Sequence, residues 1–286
     1  MSTTTIPAWV ALDETAGDGN LKFQDVESKK WDDDNIDGEE QFCPQMCWTY
    51  LSPLCVGNSK GMINQGGYAK VWRGSARFAN KVPDGMDPAD AAALVCTGIT
   101  CYSPLKRYGA GTTAKRVGII GVGGVGHVGI MIAKAMGADV TAINRGTRKE
   151  ADALKLGASK YIATGSDLEK DFEGHERSLD LIICTIIADY MRLLRPMGAI
   201  VVVGIVPDPI SIPSRPLIWS GAAVAGSPIG SPGEIKEMLD LAVAKGVKPW
   251  VQKYNMDDIN QAVKDMKAGK ARYRFVLVNT DNGGVL

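Results

Sequence analysis

Three glycines at fixed spacing mark the first chemistry legible in this chain. Gly121, Gly123 and Gly126 fall at the first, third and sixth places of G-x-G-x-x-G, directly after the apolar run Val117 to Ile120. At those places glycine permits a tight turn, close backbone approach to a pyrophosphate, and close packing of a helix on a strand. Gly124 and Val125 complete the turn, and the helix expected from Val125 to Met136 would aim its N-terminal N–H groups and positive dipole end at the anion. Glycines also end strands for structural reasons alone, so neighbouring sequence must decide. Gly137-Ala138 stops the helix and Val140 to Ile143 reads as a second strand, completing a βαβ unit.

At the end of that second strand, the Asp or Glu that bonds the ribose hydroxyls of NAD is replaced by Asn144 followed by Arg145. Arg145, Arg148 and Lys149 could neutralise a 2′-phosphate, a task suited to the planar guanidinium. Arg148 and Lys149 could also simply open a solvated helix. The missing acid together with the added bases favours NADP(H).

These groups need a scaffold, and residues Arg116 to Gly226 alternate strand and helix as a parallel sheet requires. Strands are expected at Val117–Ile120, Val140–Ile143, Tyr161–Ala163, Leu181–Thr185, Ile200–Val203 and Ala222–Ala225, which suits a Rossmann-type, doubly wound α/β sheet. The crossover between Thr185 and Ala199 has little more than Asp189 to Leu194 to work with, close to the minimum for parallel strands. Asp87-Pro88 opens an alanine-rich helix from Ala89 to Leu94. Ser231-Pro232-Gly233-Glu234 is a capping box for a helix carrying Ile235, Met238, Leu239 and Ala242 on one face and stopping at Gly246. A further helix starts at Asp257 or Asp258 with Ile259, Val263 and Met266 facing inward, and the apolar run Tyr273 to Val278 reads as a buried last strand returning to the N-terminal segment.

Upstream, residues 1 to about 40 are polar and acidic around Trp31 to Asp34, which predicts weakly held strands or a solvated arm. Phe42 to Asn80 reads as a small β-rich segment, with a turn at Gln65–Ala69 into a strand Lys70–Trp72. The 286 residues, 45% hydrophobic and 22% charged, carry zero formal net charge, which argues against a nucleic-acid or anionic-membrane surface. The N-terminal sequence lacks a basic segment followed by an apolar one, and with six scattered cysteines the reading is a cytoplasmic protein with reduced thiols.

Taken together, the runs Cys96 to Leu105, Gly121 to His127, Asn144 to Lys149 and Gly269 to Phe275 resemble the zinc-type medium-chain alcohol dehydrogenases, most closely their cinnamyl-alcohol-dehydrogenase-like NADP(H) subgroup. The resemblance runs from about Lys81 to Asn279. It implies a truncated, GroES-like catalytic domain over 1–86, an NADP(H)-binding Rossmann domain over 87–246, and a C-terminal segment, 247–286, returning to the catalytic domain. It also implies Cys96 and Cys47 as catalytic zinc ligands, Thr49 as the group relaying the substrate proton, and Thr100 and Arg274 as cofactor contacts. A homodimer through about Ile205 to Gly230 and a small alcohol or aldehyde as substrate follow from the same resemblance, with no catalytic role for His127.

The sequence departs from the family where the remaining zinc ligands should stand. Cys47-Trp48-Thr49-Tyr50-Leu51-Ser52 keeps the cysteine and the hydroxyl but has Tyr50 and Ser52 at the family's Asp and His positions. The histidine-ligand motif and the four-cysteine structural zinc loop have no counterpart; Cys55 is at most a remnant, and Cys43 could be a substitute ligand or a buried cysteine. Catalytic zinc takes three protein ligands. With two in hand, the expectation is NADP(H) binding with weak or absent zinc-dependent alcohol oxidation. A non-catalytic NADP(H)-binding protein and a zinc-free NADPH reductase are the alternatives.

Overall fold

The computed structural model describes residues 5–10, 18–27, 50–53, 61, 63–71, 78–185, 189–206, 209–212 and 214–286. The chain divides into two compact units, one of Met1–Lys81 with Val251–Leu286 and the other of Val82–Trp250. Cys43, Cys47, Thr49, Cys55, Trp72 and the acidic run at Trp31 lie outside the described residues.

In the first unit, β1 (Thr5–Val10) pairs antiparallel with β2 (Lys22–Glu27), and β3 (Tyr50–Pro53) with β4 (Ile63–Gln65). Ala69 forms only a bridge and Lys70 and Val71 are bends, so the strand expected at Lys70–Trp72 is absent from its described part. Asn279 and Asn282 hold the Lys70 carbonyl there instead, taking the place of a ladder partner.

The second unit begins with α1 (Pro88–Ala93), whose start is fixed by Asp87 accepting the Ala89 N–H at 2.8 Å. The helix does not stop at Leu94. It widens into a π segment, Leu94–Gly98, and continues as α2 (Ile99–Arg107). Gly98 lets this helix lie close to its neighbour, since a Cβ there would meet the Met238 sulfur at 2.6 Å.

Then follow β5 (Arg116–Ile120), α3 (Gly126–Ala135), β6 (Asp139–Arg145), α4 (Glu150–Lys155), β7 (Lys160–Thr164), α5 (Leu168–Asp171), β8 (Leu179–Cys184), β9 (Leu194–Val202), α6 (Ser214–Ser220), β10 (Ala223–Gly226) and α7 (Pro232–Lys245). The six strands form one sheet in the order β10-β9-β8-β5-β6-β7, all parallel. This is the doubly wound order, with strand direction of winding reversing between β5 and β8. Ile143, Phe172, Ile182, Leu193 and Ile200 are fully buried along it.

The short crossover is real: residues 185–193 join β8 to β9, and their described part is a 3₁₀ turn, Asp189–Leu193, that buries Tyr190, Met191 and Leu193. β9 begins six residues before the expected Ile200. Leu179 pairs with Leu194 and Leu181 with Ala199, so the residues between bulge outward. Met197 sits on that bulge at φ +63° and 82% exposed.

The capping box of α7 forms as expected, Ser231 Oγ accepting from Glu234 N and Glu234 from Ser231 N, and Gly246 closes the helix in the left-handed region. Back in the first unit, β11 (Val251–Asn255) and β12 (Arg274–Val278) pair parallel, joined through α8 (Ile259–Lys267). Two expectations are corrected. Residues 274–277 are only half-buried, because a two-stranded sheet covers little of either face. Met266 is 56% exposed while Ala262 is buried, so the inward stripe of α8 is confined to its first two turns.

Candidate functional site

The carboxyl ends of β5, β6, β8, β9 and β10 share one edge of the sheet, and the turn after β5 opens at the point where the winding reverses. Open α/β sheets bind ligands in the crevice at that place. Each glycine of the turn has its own structural reason. Gly121 adopts φ +87°, which disfavours any side chain; a Cβ at Gly126 would collide with the Gly121 carbonyl oxygen; and a Cβ at Gly123 would point into open space with nothing within 4 Å. The first two shape the turn. The third keeps clear a space that a ligand backbone or phosphate can enter. Gly124 and Val125 are half-buried between them, and Val125 is the N-cap of α3.

Polar side chains hold this turn from below. His127, fully buried, has Nδ1 2.9 Å from the Gly123 carbonyl and Nε2 accepting the Trp250 N–H at 3.2 Å. Since the amide must donate to Nε2, the ring proton sits on Nδ1 and donates to Gly123. Cys101 lies under the same turn, its thiol donating toward the Val125 carbonyl at 3.8 Å, and burial pushes its pKa up to about 12. It is an inert packing thiol.

The turn after β6 is tied to the turn after β5. Asn144 Oδ1 accepts the Val122 N–H at 3.0 Å and its Nδ2 donates to the Arg145 carbonyl, while Lys149 Nζ donates to the Val122 carbonyl. Val122 is thus held at both backbone groups by residues of the second turn. Arg145 and Arg148 are exposed beside it. Burial lowers the Lys149 pKa first and the Arg148 charge lowers it further, with Asp152 opposing. An anion docking there would favour the charged form of Lys149 and offset the Arg148 charge.

Ser227, after β10, was not anticipated from sequence. It is 4% exposed, and its buried Oγ has no hydrogen-bond partner among the described residues. Two residues on, Ile229 is held at φ +28°, a strained state for a β-branched side chain. An orphaned hydroxyl and local strain at the carboxyl edge of the sheet are what a bound ligand could use. A serine in a strand-to-helix turn carries no such signal in the sequence.

Thr100 is half-buried on α2 and donates to the Cys96 carbonyl at 2.7 Å. Cys96 is exposed within the π segment, and such widened turns are frequent at functional sites. Arg274 opens β12 in the other unit, half-buried. Cys47 and Thr49 fall outside the described residues, so of the expected zinc ligands the structure places Cys96 alone.

For a nicotinamide dinucleotide, the residues present fit: an open cradle at Gly123, a turn only glycine can make at Gly121, an unpaired buried hydroxyl at Ser227, and exposed cations beside Asn144. For zinc, no three His, Cys, Asp or Glu side chains gather as a metal site among the described residues, and Cys43, Cys47 and Cys55 lie outside them. His127 has both ring nitrogens engaged by backbone, and His175 is exposed in the turn before β8, at the opposite edge of the sheet.

Comparison with known proteins agrees with this geometry. Residues 124–244 match the zinc-binding dehydrogenase family. The chain is 38% identical over 244 residues to a probable cinnamyl alcohol dehydrogenase of Picea abies, covering 83% of this chain and 67% of that one, and 37% identical to cinnamyl alcohol dehydrogenase 5 of Arabidopsis thaliana over the same shares. A cinnamyl alcohol dehydrogenase structure from Sorghum bicolor superposes with a TM-score of 0.84 at 26% identity, covering 96% of this chain and 97% of that one. The Helicobacter pylori enzyme solved with NADP(H) superposes at 0.69, also at 26% identity, covering 97% and 75%. The chain therefore belongs to the zinc-type medium-chain alcohol dehydrogenases, as a shortened, cinnamyl-alcohol-dehydrogenase-like member.

Proposed function

We propose that this chain is an NADP(H)-dependent oxidoreductase acting on small alcohols or aldehydes, whose zinc-dependent turnover is weak or lost. The observation that carries the cofactor choice is the turn after β6, where Asn144 stands at the end of the strand in place of an acid and Arg145, Arg148 and Lys149 follow it. The NADP(H) complex of the Helicobacter pylori relative supports it. When bound, the nicotinamide supplies hydride exchange with a substrate carbon. The chain's own part is positional. The Gly121–Gly126 turn receives the pyrophosphate, Arg145 and Lys149 receive the 2′-phosphate, Asn144 joins their two turns, and Ser227 offers a hydroxyl at the carboxyl edge of β10.

No step is assigned to zinc. Cys47 and Cys96 leave it one ligand short, and Thr49 alone cannot replace the charge that stabilises a developing alkoxide. Removing Arg145 should weaken NADPH binding by about 10–100-fold while sparing NADH, as expected for one charge-assisted phosphate contact. Equal affinity of the unmodified chain for both nucleotides would sink the assignment. Metal analysis beside an NADPH-oxidation assay over an aldehyde panel tests the rest: about one tightly held zinc per chain with turnover of ~1–10³ s⁻¹ contradicts the ligand count. Turnover without zinc would favour a zinc-free reductase, and binding without turnover a non-catalytic NADP(H)-binding protein.

The same proposal includes a cytoplasmic homodimer. Ile205, Ile218 and Trp219 are each more than 70% exposed within Ile205–Gly230, next to the edge strand β10, and a second copy would cover them. Sedimentation as a monomer at micromolar concentration would argue against it. Among the described residues no helix is long and apolar enough to cross a membrane.

A further inference from the structure

The second turn owes its shape to a residue outside it. Gly146, between Arg145 and the helix carrying Lys149, adopts φ +63° and is gripped at both backbone groups. Its N–H donates to the Thr164 carbonyl at 2.9 Å, and its carbonyl accepts the Tyr161 hydroxyl at 2.7 Å. Both partners come from β7, which pairs with β6 in parallel, Tyr161 opposite Ala142 and Thr164 opposite Arg145. A phenol reaching along its neighbour strand to a turn carbonyl has no packing need to do so; Tyr161 itself is only half-buried.

We propose that Tyr161 is a positioning residue for 2′-phosphate recognition: its hydroxyl fixes the Gly146 carbonyl, and so holds the Arg145–Lys149 turn in the form that presents its cations to the phosphate. This rests on the NADP(H) reading above. The chain of contacts runs from Tyr161 to Gly146, through the adjoining Arg145 and Lys149, and on to Val122, whose N–H and carbonyl are held by Asn144 and Lys149. Burial raises the Tyr161 pKa, hydrogen bonding with Asn144 partly offsets this, and the Glu150 charge adds to it. The phenol stays protonated and a donor at neutral pH. NADH has no 2′-phosphate and draws nothing from the orientation of these cations, so the effect of Tyr161 belongs to NADPH alone.

The experiment is titration of NADPH and NADH into the full chain, its Tyr161→Phe and Arg145→Ala variants, and the double variant, with thermal melts alongside. Tyr161→Phe removes one neutral hydrogen bond, so NADPH should weaken roughly three- to tenfold and NADH by less than about twofold. In the Arg145→Ala background the same change should have much less effect, because the phenol acts through the cations it positions. Equal losses for both nucleotides, no loss, or full additivity with Arg145→Ala would overturn the inference while leaving the NADP(H) reading intact. Failure of the unmodified chain to prefer NADPH would overturn both. Should Tyr161→Phe not fold, Gly146→Ala strains the same turn from the other side, and the same NADPH-selective loss is expected; an equal loss for NADH again overturns the role.

Discussion

In the unit Val82–Trp250 a six-stranded parallel sheet buries Ile143, Ile182 and Ile200 completely, whereas the described residues of the unit made of the two chain ends pair their strands in twos and tie them with polar clasps. Asn260 of α8 grips Leu21 both ways, its Oδ1 accepting from Leu21 N and its Nδ2 donating to Leu21 O. Lys70 pairs with Asp257 and Asp281, and Lys267 with Asp18. A parallel sheet wound from consecutive segments generates its core from local order. The other unit depends on contacts between residues more than 200 positions apart, each of which is weak in water.

The sharpest test of that contrast lies in the glycine turn. Gly126→Ala puts a methyl against the Gly121 carbonyl and should cost about 1–3 kcal/mol, with loss of nucleotide binding, because the backbone it meets can yield little. Gly123→Ala should leave stability within about 0.5 kcal/mol while lowering NADPH affinity roughly tenfold, since its Cβ fills the ligand's approach. Thermal melts and titrations of both variants separate packing from recognition; parallel losses would deny the open cradle.

The next effect is expected at Asp180, 5% exposed, which accepts from the Arg116 backbone and guanidinium and from Arg195. Burial alone would raise its pKa, but the Arg116 bonds and the two guanidinium charges outweigh it, so the carboxyl is held below the usual range. A depressed folded pKa contributes stability above the unfolded value of about 4 and loses it as pH falls through the folded one. Asp180→Asn should therefore destabilise the sheet unit by about 1.5–3 kcal/mol at pH 7, and denaturant midpoints should converge with those of the unmodified chain at acid pH. A constant gap across pH would remove the ion-pair explanation.

The smallest effect belongs to the polar clasps. Asn260→Ala should cost about 1 kcal/mol, with faster amide exchange at Leu21 and in α8 and none in β5 or β6. Global loss of protection would mean that the units do not differ as described.

The same contrast decides what could be read from the amino acids. Apolar runs gave β5, β6 and β8 within two residues, because burial on both faces leaves continuous hydrophobic stretches. The start of β9 escaped, since a bulge that exposes Met197 looks like a loop. The turn-forming role of Gly121 and the close packing at Gly126 were legible from spacing. The orphaned Ser227 hydroxyl and the grip of Tyr161 on Gly146 were not, as both arise from strands brought side by side by the fold. Asn144 was legible as a missing acid, but not as a bridge to Val122.

The buried imidazole of His127 has a consequence for proton traffic. With Nδ1 donating and Nε2 accepting, it works as a fixed strut between two backbone groups, and a second proton would have to displace the Trp250 amide. The chain's one other histidine, His175, is exposed before β8. Among the described residues neither histidine is thus placed to change charge beside the Gly121–Gly126 turn, so on the NADP(H) reading proposed above the acid limb of NADPH affinity should follow the nucleotide's own 2′-phosphate, which titrates near pH ~6.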